Sequence, residues 1–360
     1  MSAPTRPPVR PDGAPSRPGF ESIWRQLHAG GLVDGAPPGS PADGPPAPWH
    51  VRAMLAVCGW LGGLLLLVFL GLVVPDPFDE RSLAVAGVLL VLAAGVLFRG
   101  KASELRAQFA LSLCLAGYGA IAVAAGLWLS AAQAWAAAAL AGAALAVAMP
   151  DRTARTFGVA AAFLAAEGGI RALDWPSPVA AVAAWTCTIC WLAETRLAYR
   201  LGERQAPLAW GATLALWALG LASGLWSAVG METPAGWRAV SWGLALLAAL
   251  PLAFAAWRLS ALAGQPARGW ATGAALAVVL AGAWAQGVAF GLLTAVLGYS
   301  RGRGPLWKGG LMVALWGVGW FYYAQHWTLP RKAAMLLALG VVLLLAWRGV
   351  SRLGAREAGP

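Results

Sequence analysis

SLAVAGVLLVLAAGVLFRGKASELRAQFALSLCLAGYGAIAVAAGLW, residues 82–128, decides the fold class. Residues 82–98 and 105–128 are two long apolar runs, and the basic residues Arg99, Lys101 and Arg106 gather where they join. At 1.5 Å per residue, about 20 apolar residues in a helix match the roughly 30 Å hydrocarbon core of a bilayer. Each run therefore has the length of a membrane-spanning helix, and the basic segment between them has the character of a cytoplasmic turn.

The same pattern extends in both directions. The chain has 360 residues, of which 59% are hydrophobic and 11% charged, whereas a soluble domain runs near about a quarter charged. Short-period alternation of apolar and polar residues is absent, which excludes a membrane β-barrel reading. The expected fold class is all-α: a polytopic transmembrane helix bundle of about 12 spans with N and C termini cytoplasmic. The expected spans are 53–74, 82–98, 105–128, 131–149, 155–171, 177–194, 207–230, 237–257, 269–283, 286–300, 306–325 and 331–348. Trp128, Trp175, Trp237, Trp307 and Trp327 fall near proposed ends, as an interfacial aromatic belt requires. Residues 1–48 form a Pro- and Gly-rich cytoplasmic segment, within which FESIWRQLHAGGLV, residues 20–33, reads as a short amphipathic helix stopped by Gly30-Gly31. Residues 49–350 form the transmembrane domain and 351–360 a short cytoplasmic tail. No cleavable signal peptide is expected, because the first apolar run begins only near Ala53.

Charge sets the orientation. The net charge of +11 does not indicate nucleic acid, since Lys and Arg are scattered singly or in small groups at the ends of apolar runs instead of covering one soluble face. With the N-terminus inside, the inner segments hold 21 basic residues. The outer ones hold five: Arg81, Arg171, Arg238, Arg331 and Lys332. Such a bias is a positive-inside signal. The stretch 269–300 is long for one helix and short for two. A single tilted helix there would invert everything after it and reduce the bias, so two segments turning near Trp284–Gly287 are expected, either as two full spans or as a re-entrant pair.

Two stretches carry a family resemblance: PWHVRAMLAVCGWLGGLLLLVFLGL, residues 48–72, and WFYYAQHWTLPRKAAMLLALGVVLLLAWR, residues 320–348. With the short N-terminal helix ending in Gly-Gly-Leu-Val, they resemble the bacterial domain-of-unknown-function 4401 family of polytopic inner-membrane proteins. Pro330 stands where that pattern has a second Leu. The resemblance implies a bacterial cytoplasmic (inner) membrane location. It also implies a membrane complex, because members tend to be encoded beside another multi-span protein and a small protein with a Gly-Asp-Tyr motif. It carries over no catalytic residue.

Candidate chemistry is sparse. Glu167, in FLAAEGGIRAL within the fifth run, is the foremost candidate. A carboxylate in hydrocarbon costs several kcal/mol, about 2.5–3.5 on insertion scales, unless paired or protonated. Arg171, four residues on, lies one helical turn away and can pair with it. Glu167 and Arg171 are thus a candidate intramembrane ion pair, either proton- or ion-linked or a structural pair near the outer surface. Tyr322, Tyr323, His326 and Trp327 form a candidate outer-loop aromatic cluster. Cys187 and Cys190 make a C-x-x-C without nearby His or a second such pair, so they read as small packing residues. Cys58 and Cys114 also lie inside apolar runs, where no exported disulfide forms. His28 and His50 are too dispersed for a metal site, and no metal or cofactor is expected. Glycines four apart occur at Gly59/Gly63, Gly220/Gly224 and Gly287/Gly291, a spacing that permits close helix approach. Gln108, Gln133 and Gln286 are candidates for a polar path or for helix-to-helix hydrogen bonds. No P-loop, H-E-x-x-H, dinucleotide fingerprint or nucleophile elbow is present. The expected function is that of a non-enzymatic component of a membrane complex, with the lipid bilayer and neighbouring membrane proteins as partners. The alternative is a secondary transporter of a small solute.

Overall fold

Long runs rich in Ala, Leu and Val, punctuated by short charged or proline-bearing segments, leave the backbone one way to satisfy its own polar groups in an apolar setting, which is the helix. A computed structural model describes residues 20–31, 49–73, 79–100, 104–228, 235–260, 279, 286–324, 330, 333, 334 and 337. Among these residues there are helices and turns and no strand. The chain divides into two units, Met1–Ala53 and Met54–Pro360. In the first lies α1 (Phe20–Ala29). It ends at Gly30 and Gly31, where Gly31 takes φ +66°, a conformation that favours glycine.

Next comes α2 (Trp49–Val73), which begins in the first unit and continues into the second. The second unit continues with α3 (Glu80–Arg99), α4 (Glu104–Trp128), α5 (Ala131–Ala148), α6 (Arg152–Arg171), α7 (Val179–Leu192) and α8 (Glu194–Leu201). After one 3₁₀ turn follow α9 (Gln205–Ala228), α10 (Arg238–Ser260), α11 (Gln286–Ser300) and α12 (Gly304–Ala324). Ten expected runs coincide with these helices. The runs 269–283 and 331–348 lie outside the described residues, except Val279, Ala333, Ala334 and Leu337, so the choice at 269–300 between two full spans and a re-entrant pair lies there too. Two boundaries differ for local reasons. The sixth run shrinks to Val179–Leu192 because Pro176, Ser177 and Pro178 are taken up by the preceding turn. The fifth extends back to Arg152 because Asp151 Oδ1 caps it, accepting from Thr153 N at 2.8 Å and Ala154 N at 2.9 Å. Helix α8 falls almost wholly between the expected runs 177–194 and 207–230.

By length and composition, four stretches of helix among the described residues suffice to cross a bilayer: Glu80–Arg99, Leu105–Trp128, Ala131–Ala148 and Arg238–Leu259. The distribution of side chains fits that solvent. The interior is built from small residues such as Ala183, Ala184, Ala209, Ala212 and Ala215, all fully buried. Large apolar side chains point outward: Leu140 and Met312 are each 72% exposed and Leu315 71%. A water-soluble protein would reverse this arrangement. In lipid it is expected, because helices gain from close contact with one another and nothing from hiding leucine.

Three hairpins of sequence-adjacent helices share one packing device. In α3/α4 a Cβ on Gly87 would sit 2.8 Å from the Gly117 carbonyl oxygen, and one on Gly117 would sit 2.7 Å from that of Gly87. In α5/α6, Gly142 and Gly158 face each other the same way, at 3.0 and 2.8 Å. In α11/α12, Gly291 and Gly310 do so at 2.6 Å in both directions. Each pair of helices touches backbone to backbone, and only hydrogen fits between.

The turns sort to two ends of the second unit. Gly59 and Gly63 of α2 lie against Gln108 and Ser112 of α4, so the two helices run parallel. Met149, after α5, reaches Gly95 near the end of α3. Arg152 pairs with Glu203 at 3.5 Å. Gln205 Nε2 donates to the Cys190 carbonyl at 3.1 Å, and Arg301 donates to the Leu192 carbonyl at 2.6 Å. One end therefore collects the α3–α4, α5–α6, α7–α9 and α11–α12 turns. The opposite end holds the α4–α5 and α6–α7 turns, where Trp135 packs on Gly168 and Gly169. Helix α11 runs from Gly287, beside Gly220 in the far half of α9, to Arg301 beside the end of α7.

Candidate functional site

Glu167 is set in the last turn of α6, at the entrance to the turn that leads to α7. Three features shape that turn. Trp175 N returns to the Ile170 carbonyl, Asp174 adopts φ 56°, and Pro178 precedes α7. Folding the chain back so tightly places Ser177 over the end of α6. The Glu167 carboxylate is 4% exposed, and both of its oxygens are engaged. Arg171 Nε donates to Oε1 at 2.7 Å, one helical turn away. Ser177 Oγ donates to Oε2 at 2.5 Å and itself accepts from Val179 N at 3.2 Å, the first residue of α7. The expected Glu167–Arg171 contact is present. Ser177 was not anticipated, although a serine between two prolines just ahead of a helix is a recognisable signal of a side chain bound to local backbone. The cluster ties α6, the turn and the start of α7 together, and hydrogen bonding on both oxygens offsets what an isolated buried carboxylate would cost.

The other end of α7 is held from a different element. Arg303, in the α11–α12 turn, donates to Glu194 and lies over the Trp191 ring, with its guanidinium carbon 4.8 Å from the centroid. Gly302, at φ 62°, permits the tight reversal that aims both Arg301 and Arg303 at α7. These contacts join positions 109 residues apart.

Between the two ends runs a line of hydroxyl and indole pairs. Trp191 Nε1 donates to Thr213 Oγ1 at 3.1 Å, and Trp217 Nε1 donates to Thr294 Oγ1 at 3.0 Å. Each threonine spends its own proton on its helix: Thr213 on the Ala209 carbonyl at 2.8 Å, Thr294 on those of Phe290 and Gly291 at 3.0 Å. Since the Thr213 proton is committed, the 3.4 Å contact with Cys187 Sγ has the thiol as donor. Cys187 and Cys190 are free and buried within this packing. Tyr322 and Tyr323 meet edge to face at 5.4 Å, with Tyr323 82% exposed, while His326 and Trp327 lie outside the described residues. Gln133, a candidate for a polar path, instead serves its own helix: its Oε1 accepts from Ser130 N at 3.2 Å. Among the described residues, no three His, Cys, Asp or Glu side chains converge as a metal site would need.

Small residues inside, large apolar ones outside, and indole-to-hydroxyl contacts between apolar helices are compatible with one class, the helical membrane protein. Residues 48–353 match the family described as Domain of unknown function (DUF4401), and the chain belongs to it. Neither a curated protein nor a solved structure matches the chain.

Proposed function

We propose that this chain is a non-enzymatic subunit of a bacterial inner-membrane complex, crossing the bilayer twelve times with both termini in the cytoplasm. The observation that carries the non-enzymatic part is the engagement of Glu167. A carboxylate that couples transport or acts as a catalytic base needs an oxygen free to exchange a proton or ion. Here Arg171 holds one and Ser177 the other, so the group secures a turn. The topology draws support from the gathering of the basic turns at one end of the second unit, the segregation that positive-inside insertion produces. The direction of α11, which leads to Arg301 beside the end of α7, fits that count of crossings.

Two experiments test this reading. Compartment reporters fused after residue 205 and after residue 233 are expected to report opposite sides, and the same side for both would overturn the topology. For the complex, the chain is tagged at its native locus and extracted as polymer-bounded native nanodiscs. Co-elution of another multi-span protein at constant stoichiometry is expected, and a lone monomer overturns the proposal. A second reading, secondary transport of a small solute, is favoured by α7. Its 14 residues reach about 21 Å, short of the bilayer core, as in the interrupted helices that line transporter sites. Glu167→Gln separates the two readings. As a packing residue it is expected to lower stability by about 1–2 kcal/mol through weaker charge-assisted bonds while leaving assembly intact. Loss of solute uptake at unchanged protein level would favour transport.

A further inference from the structure

Helix α8 connects α7 to α9 across the end of the second unit where the basic turns gather. Its surface is polar and it has no buried residue. The two acidic side chains of this connector are both engaged elsewhere: Glu194 with Arg303, and Glu203 with Arg152. Arg196, Arg200 and Arg204 are left; Arg196 and Arg200 lie one helical turn apart on the same face, and no acidic side chain among the described residues pairs with either. Both line an open cavity of about 600 Å³ together with Thr195, Tyr199, Ala193 and Leu197. The donors are two guanidinium groups, a hydroxyl and a phenol, and Ala193 and Leu197 supply an apolar side. Tyr199 is 93% exposed, and tyrosine is a residue type enriched at membrane interfaces.

We propose that this cavity is a binding site for the headgroup of an anionic phospholipid of the cytoplasmic leaflet, with Arg196 and Arg200 gripping the phosphate. Guanidinium pairs match phosphate oxygens in geometry and charge. Basic pockets on the cytoplasmic side of helical membrane proteins are where anionic headgroups bind. The apolar side of the cavity lets the glycerol end of a lipid leave toward the acyl region, which a free phosphate would not use. This inference rests on the membrane embedding and orientation proposed above.

The test uses the full-length chain purified in neutral detergent with phosphatidylcholine and phosphatidylglycerol present at equal concentrations, with bound lipid counted by native mass spectrometry. Wild type is expected to retain phosphatidylglycerol selectively. Arg196→Gln and Arg200→Gln are expected to lose retention severalfold each, and the double variant at least tenfold, while Arg238→Gln, at the opposite end, keeps it. The double variant retaining phosphatidylglycerol like wild type at an unchanged melting temperature overturns the site, and the single variants repeat the comparison should the double variant fold poorly. Inorganic phosphate displacing the lipid completely at equal concentration overturns the lipid assignment in favour of a soluble anion. Release of wild type from membranes by alkaline carbonate would sink the embedding itself, whereas a carbonate-resistant chain without selective retention sinks only the lipid site.

Discussion

The hairpins α3/α4, α5/α6 and α11/α12 and the central group α7, α9 and α11 solve the same problem by different means. Helices adjacent in sequence meet through facing glycines, at Gly87–Gly117, Gly142–Gly158 and Gly291–Gly310. Helices with another element between them in sequence add tryptophan donating to threonine, at Trp191–Thr213 and Trp217–Thr294, although α9 and α11 also come close at Gly220 and Gly287. The difference follows from what each contact requires. A glycine seam gains dispersion along a whole helix face but needs close alignment, which a short turn supplies. An indole-to-hydroxyl bond is directional and reaches farther, so it can register helices that no turn aligns.

The comparison can be broken at either device. Gly291→Ala is expected to have the largest effect. Its Cβ would lie 2.3 Å from Ala314 N, a backbone atom that cannot step aside, and overpacking of this kind costs about 3 kcal/mol. Unfolding of the purified protein followed by tryptophan fluorescence in detergent measures it; a loss below that of a surface substitution would show that the seam is looser than described. Thr294→Val ranks next. It leaves the Trp217 indole N–H without its acceptor at a cost of about 1–2 kcal/mol, while Thr294→Ser keeps the oxygen and should recover most of it. Trp191→Phe loses one interhelical hydrogen bond worth about 0.6 kcal/mol in a membrane setting, plus some packing. Gly319→Ala sharpens the contrast from the other side. Nothing lies within 4 Å of a Cβ there, so helix propensity alone acts and stability is expected to rise by up to about 1 kcal/mol. If Gly319→Ala and Gly291→Ala move stability in the same direction, the seam explanation fails.

Much of the candidate site was legible in residues 163–178 as written. The four-residue spacing of Glu167 and Arg171 on a helix announces the ion pair. Ser177 was harder to see, because its approach to Glu167 depends on the left-handed Asp174 and the reversal at 172–178, which sequence spacing does not encode. The Arg303–Glu194 and Arg301–Leu192 contacts were hidden for a different reason. They join distant stretches of chain, and basic residues in a turn carry an orientation signal that reads the same whether or not they have a partner. Gly287 and Gly291 stood out by their spacing, whereas Gly87, Gly117, Gly142 and Gly158 pair across helices and have no four-residue glycine partner to mark them.

Helix content, the approximate extent of most apolar helices and the apolar setting they fit came from sequence alone, since run length and charge placement are local properties that each segment carries by itself; the shortened α7 and the extra helix α8 did not. Which helix touches which, whether a glycine faces a backbone or open space, and whether Glu167 is free or engaged were decided only in the folded bundle. In a chain whose apolar residues are all compatible with lipid, hydrophobicity does not choose partners; close backbone fit and a few donor–acceptor matches do, and those exist only once the helices are side by side.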